Sequence, residues 1–460
     1  MRNLLADLRA ALGADAVASG DAIPERCLTD WSGVTPVWPL ALVRPRSTEE
    51  VSATLRLCTR HRVPVVPQGG LTGLAGAAVP LADAIALSLD RMQAIESVDA
   101  ATRTLTAQAG ATVLAVQQAA AAQGLLFGVD FGARGSAQVG GALATNAGGN
   151  GVLRFGMMRE QTLGLEVVLA DGTVLPMLRP MQKNNTGYDL KQFFIGAEGT
   201  LGVITRALFR LHPAPVARAT MLVAVADFDA ALALLGRLQA RCGAGLAAFE
   251  LMWRDFIEAS MAWQQLREPF DQPHALLALV DLDGPDEALL RAALEDVLGQ
   301  ALEAGLVLDA AIAQSQAQAS AFWKYREATA ELPAHMHPPV NFDVSLPMAE
   351  IGRFAAACRA ALDARWPGHT SVFFGHVGDS NLHVSTDAAT VGGDVPGLEH
   401  LVYELVRDFD GSISAEHGIG LHKKPYLHVS RTPGELAAMR AIKAALDPLF
   451  LMNPGKIFDR

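Results

Sequence analysis

Residues 128–149 read GVDFGARGSAQVGGALATNAGG. Glycine, alanine and serine dominate the run, so little side chain separates its backbone from whatever lies beside it. Residues this small let main chain lie flat against a large planar group, and glycine adds access to positive φ. Close packing of a helix on a sheet accounts for Gly140 and Gly141, but hardly for the whole stretch. A second segment, Pro67-Gln68-Gly69-Gly70-Leu71-Thr72-Gly73-Leu74, follows directly on the apolar run Val63–Val66. Such a loop lets backbone N–H groups converge on an anion, as a diphosphate requires. Taken alone it reads slightly better as an ordinary cluster of turns. It matches neither GxGxxG nor the GxxxxGK of a P-loop, so a Rossmann NAD site and a Walker site are not indicated. Together the two segments predict a flat dinucleotide cofactor.

Around them, short apolar runs alternate with helical patterns. Ser47-Thr48-Glu49-Glu50 reads as a capping box opening a helix to about His61. Strands are expected at 63–66, 84–89, 103–109, 165–170 and 199–211, and Asp171-Gly172 signals a two-residue hairpin. HPAPVA, residues 212–217, looks like a linker. Beyond it glycine thins out, and strands at 221–226, 246–251 and 275–281 alternate with longer amphipathic helices. That pattern fits a second α+β layer. Near the end, 440–446 reads as a helix.

The chain has 460 residues, enough for two or three domains, and a net charge of −11. With no run of Lys or Arg, nucleic acid and anionic membranes are poor candidates as partners. Cys27, Cys58, Cys242 and Cys358 lie far apart without a CxxC pair, which predicts four buried thiols in a reducing compartment. Leu4, Leu5, Leu8 and Leu12 recur at helical spacing, while Asp7 and Arg9 interrupt any signal-peptide core. No apolar run suffices to span a bilayer. The expectation is a soluble, cytoplasmic protein.

Five ordered blocks then resemble one family: PQGGLTGLAG (67–76), VDFGARGSAQVGGALATNAGG (129–149), NNTGYDLKQFFIGAEGTLGVIT (184–205), SAEHGIG (414–420) and MNPGK (452–456). They are similar to the FAD-binding D-2-hydroxyacid dehydrogenases, among the vanillyl-alcohol-oxidase-like flavoproteins. The resemblance implies an α+β fold: an FAD-binding domain of two subdomains over 1–215, an antiparallel-sheet cap over 216–413, and a segment 414–460 returning to the flavin. It implies that Gln68, Gly69, Gly70, Leu71, Thr72 and Gly73 hold the pyrophosphate. Asp130, Ser136, Gly140, Gly141, Thr145, Asn146, Glu198, Gly202 and Ile204 would line the cofactor, with Asn453 approaching from the tail. The loop has no histidine to link a flavin covalently, so non-covalent FAD is expected.

The sharpest chemical signal is FFGHVGDSNLHVS (373–385) followed by SAEHGIG. If the flanks of the Gly-Asp-Ser-Asn turn are antiparallel strands, His376 and His383 can face each other. Two neutral imidazoles with Glu416 make a three-ligand metal site that leaves positions open for substrate. Zinc is the first choice, with manganese or iron(II) also compatible. His417, adjacent to Glu416, would point elsewhere; the family uses it as the general base on a substrate whose hydride goes to flavin N5. His335, His337, His422 and His428 lack such context and should face solvent.

Arg326, in FWKYREATAEL (322–332), matches the arginine that the family aims at a substrate carboxylate. Its plain alternative is a helix-surface salt bridge to Glu327 or Glu331. Around it the 2-hydroxyglutarate pattern fails. Ala330 stands where that pattern has threonine, with Thr329 one step early; Asn341 replaces a lysine and Ser385 an asparagine. The loss of a cation and a donor implies a monocarboxylic D-2-hydroxy acid, lactate-like or longer, with D-2-hydroxyglutarate as the alternative. Electron-transfer flavoprotein, a quinone or a cytochrome would each serve as acceptor, and a homodimer is compatible. From other classes, a hydrolase built on the histidines and a subunit of an electron-transfer complex compete with this reading.

Overall fold

The structure, a computed structural model, describes residues 2–459. The chain divides into two compact units, Met1–Gly149 with Gly156–Ala214 and Glu416–Arg460, and Asn150–Phe155 with Pro215–Ala415.

The first unit holds two main sheets. One runs in the order Val17–Ala18, Ala41–Val43, Ile85–Ser88, Val65–Gln68, its last three strands parallel. The other is antiparallel, in the order Ile95–Asp99, Thr104–Gln108, Val203–Arg210, Thr162–Val168, Val174–Met177. Leu4, Leu8 and Leu12 from the first helix are buried in one core with Val51, Leu55 and Cys58 from the helix Thr48–His61. Ser47 caps that helix by accepting the Glu50 N–H. Glu50 itself reaches the Arg46 N–H at 2.7 Å rather than that of Ser47, so the box is offset by one residue.

The expected strand at 63–66 lies two residues later, at Val65–Gln68. Val63 is still occupied with the helix end, its N–H bonded to Cys58 O at 2.9 Å. The Asp171-Gly172 turn does join antiparallel strands, but its loop is one residue longer than expected. Leu169 N–H bonds Thr173 O at 2.9 Å across three residues, with Gly172 at φ 84°. The tail completes this unit. Val65 N–H bonds Leu451 O and Asn453 N–H bonds Val65 O, both at 2.8 Å. The tail helix spans Pro433–Leu446, longer than the 440–446 expected, because Thr432 and Glu435 form a capping box with Pro433 at the first turn.

The second unit is one seven-stranded antiparallel sheet. Its order is Val307–Ile312, Ala217–Val225, Leu276–Gly284, Leu246–Trp253, Ser371–Gly375, Asn381–Asp387, Pro339–Ser345. Long helices such as Phe228–Cys242, Glu287–Glu303 and Ile351–Arg365 bury apolar faces. The short insert 150–155 belongs here: Arg154 pairs with the buried Asp283 at 3.0 Å.

Cys27, Cys58 and Cys358 are buried, whereas Cys242 is half-buried, against the expectation of four buried thiols; it sits at a helix end beside a glycine turn. Burial pushes the Cys58 and Cys358 thiols up to about 12. His335, His337, His422 and His428 are exposed, as their sequence context suggested. Among the described residues no helix is long and apolar enough to cross a membrane.

Candidate active site

The two glycine segments, far apart in the chain, meet in the first unit. A Cβ on Gly70 would lie 2.1 Å from Ser136 O, and one on Gly69 3.3 Å from Gly141 Cα. Only glycine permits so close a backbone approach. Gly140 serves a different purpose. Its N–H bonds Ala109 O at 2.8 Å, and a Cβ there would meet the Ala109 Cβ. So Gly140 packs the helix Val139–Ala144 on the sheet, while Gly141 faces the loop.

Gln68 donates to Cys27 O at 2.9 Å and Ala78 O at 3.0 Å, which leaves its Oε1 buried without a protein partner; Gln138 Oε1 and Asn453 Oδ1 are in the same condition. A buried acceptor left unmet costs about 1–3 kcal/mol. Three such atoms suit a ligand carrying N–H and O–H donors, as FAD does at its imide and ribityl hydroxyls. Leu71, Asn146, Glu198 and Asn453 also hold positive φ (41–60°), although none is glycine. Backbone of that kind clusters at binding sites. The residues present therefore fit the dinucleotide.

Other expected cofactor residues have evident structural partners. Asp130 accepts from Arg134 at 2.7 Å and Gln117 at 3.2 Å. Thr145 turns its hydroxyl to Gly141 O, and Gly202 packs against Val167 and Val168. Ile204 is buried. The Glu198 carboxylate accepts the N–H groups of Ile419 and Gly420, both at 2.7 Å, while its carbonyl accepts from Asn453 Nδ2 at 2.7 Å. It thus braces the SAEHGIG turn against the tail. Burial pushes this carboxyl above its ordinary value, against the pull of the two N–H groups. Lys456, one residue short of Ile457, was not singled out in the sequence. It is buried, donates to Val79 O at 2.8 Å, and burial lowers it to about 8.

In the second unit His376 and His383 do flank a turn between antiparallel strands, Ser371–Gly375 and Asn381–Asp387. Their rings stand 5.5 Å apart at 79°, and a nitrogen of one lies within 4.8 Å of a nitrogen of the other. Both side chains are buried. Two neutral imidazoles converging in this way fit a single divalent ion, whose bonds to nitrogen are about 2.0–2.1 Å. His383 is the register partner of both Phe374, which stacks on it, and Asp343. The Ala415 N–H is shared by Asp343 O and Oδ2, each at 3.2 Å. Glu416 follows by one peptide bond; within the first unit its Oε1 accepts the Gly149 N–H at 3.2 Å. His417 is half-buried.

Arg326 is buried, not a surface residue, and it bonds neither Glu327 nor Glu331. Its Nε donates to Glu250 Oε2 at 2.7 Å, and Glu250 Oε1 lies 2.6 Å from His376 Nδ1. Sequence reasoning missed Glu250, although a lone carboxylate inside LAAFELMW (246–253) was a signal. Burial pushes the Glu250 carboxyl up, but His376 and Arg326 outweigh it and leave the group below its ordinary value. Arg326 also lies over the Phe374 ring, 4.8 Å from its centroid. Ser385 and Asn341 are register partners, and the serine hydroxyl donates to Asn341 Oδ1 at 2.7 Å. Ala330 is exposed and Thr329 half-buried.

Residues 39–177 match the FAD binding domain family, and residues 214–457 match the C-terminal domain of FAD linked oxidases. The chain is 40% identical to a D-2-hydroxyglutarate dehydrogenase of Xanthomonas citri pv. viticola, over 94% of this chain and 91% of that one. It is 37% identical to the enzyme of that name from Stutzerimonas stutzeri, over 93% of each. Among solved structures, a substrate-bound p-cresol methylhydroxylase shares the fold at TM-score 0.78 and 18% identity, over 100% of this chain and 97% of that one.

Proposed function

Because this chain belongs to the FAD-dependent D-2-hydroxyacid dehydrogenase family, we propose that it oxidises a monocarboxylic D-2-hydroxy acid to the 2-oxo acid with metal assistance. Gln68–Gly73 and the facing segment at Ser136–Gly141 would hold FAD without a covalent link, and His376, His383 and Glu416 the divalent ion, zinc by preference. When bound, the flavin accepts the hydride from C2 at N5 and the cation polarises the substrate hydroxyl.

The remaining work falls to side chains. His417 takes the C2 hydroxyl proton on an imidazole nitrogen, a role suited to its basicity near neutral pH. Arg326 pairs with the C1 carboxylate and so orients the C–H bond. Glu416 and His417 are adjacent, and the preceding Ala415 is tied to Asp343, the strand neighbour of His383. That tether supports assigning ligand and base to consecutive positions.

The choice of a monocarboxylic substrate is carried by the Asn341–Ser385 hydrogen bond. It occupies both positions at which a second carboxylate would look for a cation and a donor, and the strands Pro339–Ser345 and Asn381–Asp387 contain no Lys or Arg. A lost charge-assisted bond is worth about 1.5–3 kcal/mol. Anaerobic flavin bleaching with D-lactate, D-2-hydroxybutyrate, longer D-2-hydroxy acids and D-2-hydroxyglutarate is the test. The monoacids should win, and Asn341→Lys should shift kcat/KM toward the diacid by roughly 10- to 100-fold. Clear preference of the wild type for D-2-hydroxyglutarate would establish the second reading, which the names of the 37–40% identical relatives favour.

A further inference from the structure

Glu250, Arg326 and His376 close a ring of three buried side chains. Glu250 Oε1 is 2.6 Å from His376 Nδ1, Glu250 Oε2 is 2.7 Å from Arg326 Nε, and Arg326 Nη2 is 3.2 Å from His376 Nε2. A carboxylate only accepts, so Nδ1 carries the imidazole proton and Nε2 carries a lone pair. Arg326 is always a donor, and its Nη2 points at that lone pair. In the Nδ1–H tautomer, Nε2 can accept from Arg326 Nη2 across the observed 3.2 Å. The lone pair taken up by Arg326 is the one that His376 has to offer a cation.

We infer that Glu250 is a positioning residue that fixes the tautomer of His376, and that Arg326 Nη2 holds the metal position on Nε2 until a divalent ion displaces it. Once displaced, the guanidinium keeps its Nε bond to Glu250 and turns one N–H edge free for the substrate carboxylate. Metal occupancy and carboxylate recognition are thereby coupled through one buried glutamate. The inference rests on the reading of His376 as a metal ligand. It goes beyond that reading by making Arg326 a competitor of the metal as well as a substrate contact.

A merely structural ion pair and this device differ in sign. Affinity for Co2+ is measured by chelator competition on metal-free, flavin-loaded protein at mildly alkaline pH, for the wild type, Glu250→Gln and Arg326→Met. Glu250→Gln should bind the ion about 10- to 100-fold more weakly, as loss of a carboxylate behind a ligating histidine does. Arg326→Met should bind it as tightly as the wild type or several-fold tighter, while its KM for D-lactate rises. Equal weakening in both variants, or unchanged affinity in Glu250→Gln, overturns the inference. Should Glu250→Gln fail to retain flavin, Arg326→Met decides alone, and weaker metal binding by that variant overturns it. A wild type that takes up no Co2+ or Zn2+ sinks the metal reading and this inference together. A wild type that binds the ion while Glu250→Gln binds it equally well sinks the inference only.

Discussion

Two buried glutamates, one in each unit, show how partners rather than burial decide what a carboxylate does. Glu198 and Glu250 are 5% and 1% exposed, and each has both oxygens taken at 2.6–2.7 Å. Glu198 accepts two backbone N–H groups and also feels the charges of Lys423 and Lys456. Burial wins, and its carboxyl is raised. Glu250 faces a guanidinium and an imidazole. There the two partners together outweigh burial, and its carboxyl is lowered. The first is a brace between chain segments. The second holds two side chains, Arg326 and His376, to one carboxylate. Hydrogen bonds and nearby cations both favour the ionised carboxylate and burial opposes them, and the balance falls differently at the two sites.

The contrast can be strained to breaking by removing each charge in turn. Glu250→Gln leaves Arg326 buried without a counter-charge, and one of its two neighbours must meet an amide N–H instead of an oxygen. The expected loss is about 3–5 kcal/mol in urea unfolding. Glu198→Gln keeps one of two backbone N–H bonds, and because the carboxyl is already raised toward its neutral form it gives up less charge, so its loss should be smaller, about 1–3 kcal/mol. Equal losses would show that burial alone sets the cost.

The smallest effect is the most discriminating. A carboxyl raised in the folded state contributes stability that is present below its unfolded value and lost as pH rises through the folded value. The deficit of Glu198→Gln against the wild type should therefore shrink as pH rises above about 4.5, the ordinary glutamate range. Urea midpoints of both proteins across mildly acidic to neutral pH check this. A deficit that grows over that interval would mean that the backbone N–H groups outweigh burial.

Legibility differed between the two units for physical reasons. In the first, glycine spacing announced the cradle because only glycine fits where a Cβ on residue 70 would meet Ser136 O at 2.1 Å. The longer apolar runs there placed their strands to within a few residues, whereas Ala41–Val43 and Ile95–Asp99 were not expected and His212–Pro213, read as linker, pairs with Leu125–Leu126. The strand at 65–68 slipped because Val63 is bound to the preceding helix end, a detail of capping that hydropathy does not register. In the second unit the histidines were legible from the turn between them, but the register pairs His383 with Phe374, and His376 lies just past the strand end with its ring 5.5 Å from that of His383. Arg326 was legible only as one of two options, since its helix offered Glu327 and Glu331 close by. The structure turns it inward to a residue 76 positions away in the chain.

What the sequence determined unaided was residue chemistry and local permission: where backbone must run bare, and where two imidazoles flank a turn. What only the tertiary structure decided was which charges are paired. Glu250, Arg326 and His376 come from a strand, a helix and a strand end, and their ring exists because the sheet and helix pack at hydrogen-bonding distance. Coulomb energies fall with separation and with the dielectric around the charges. Neither quantity is written in chain order; both are set by packing.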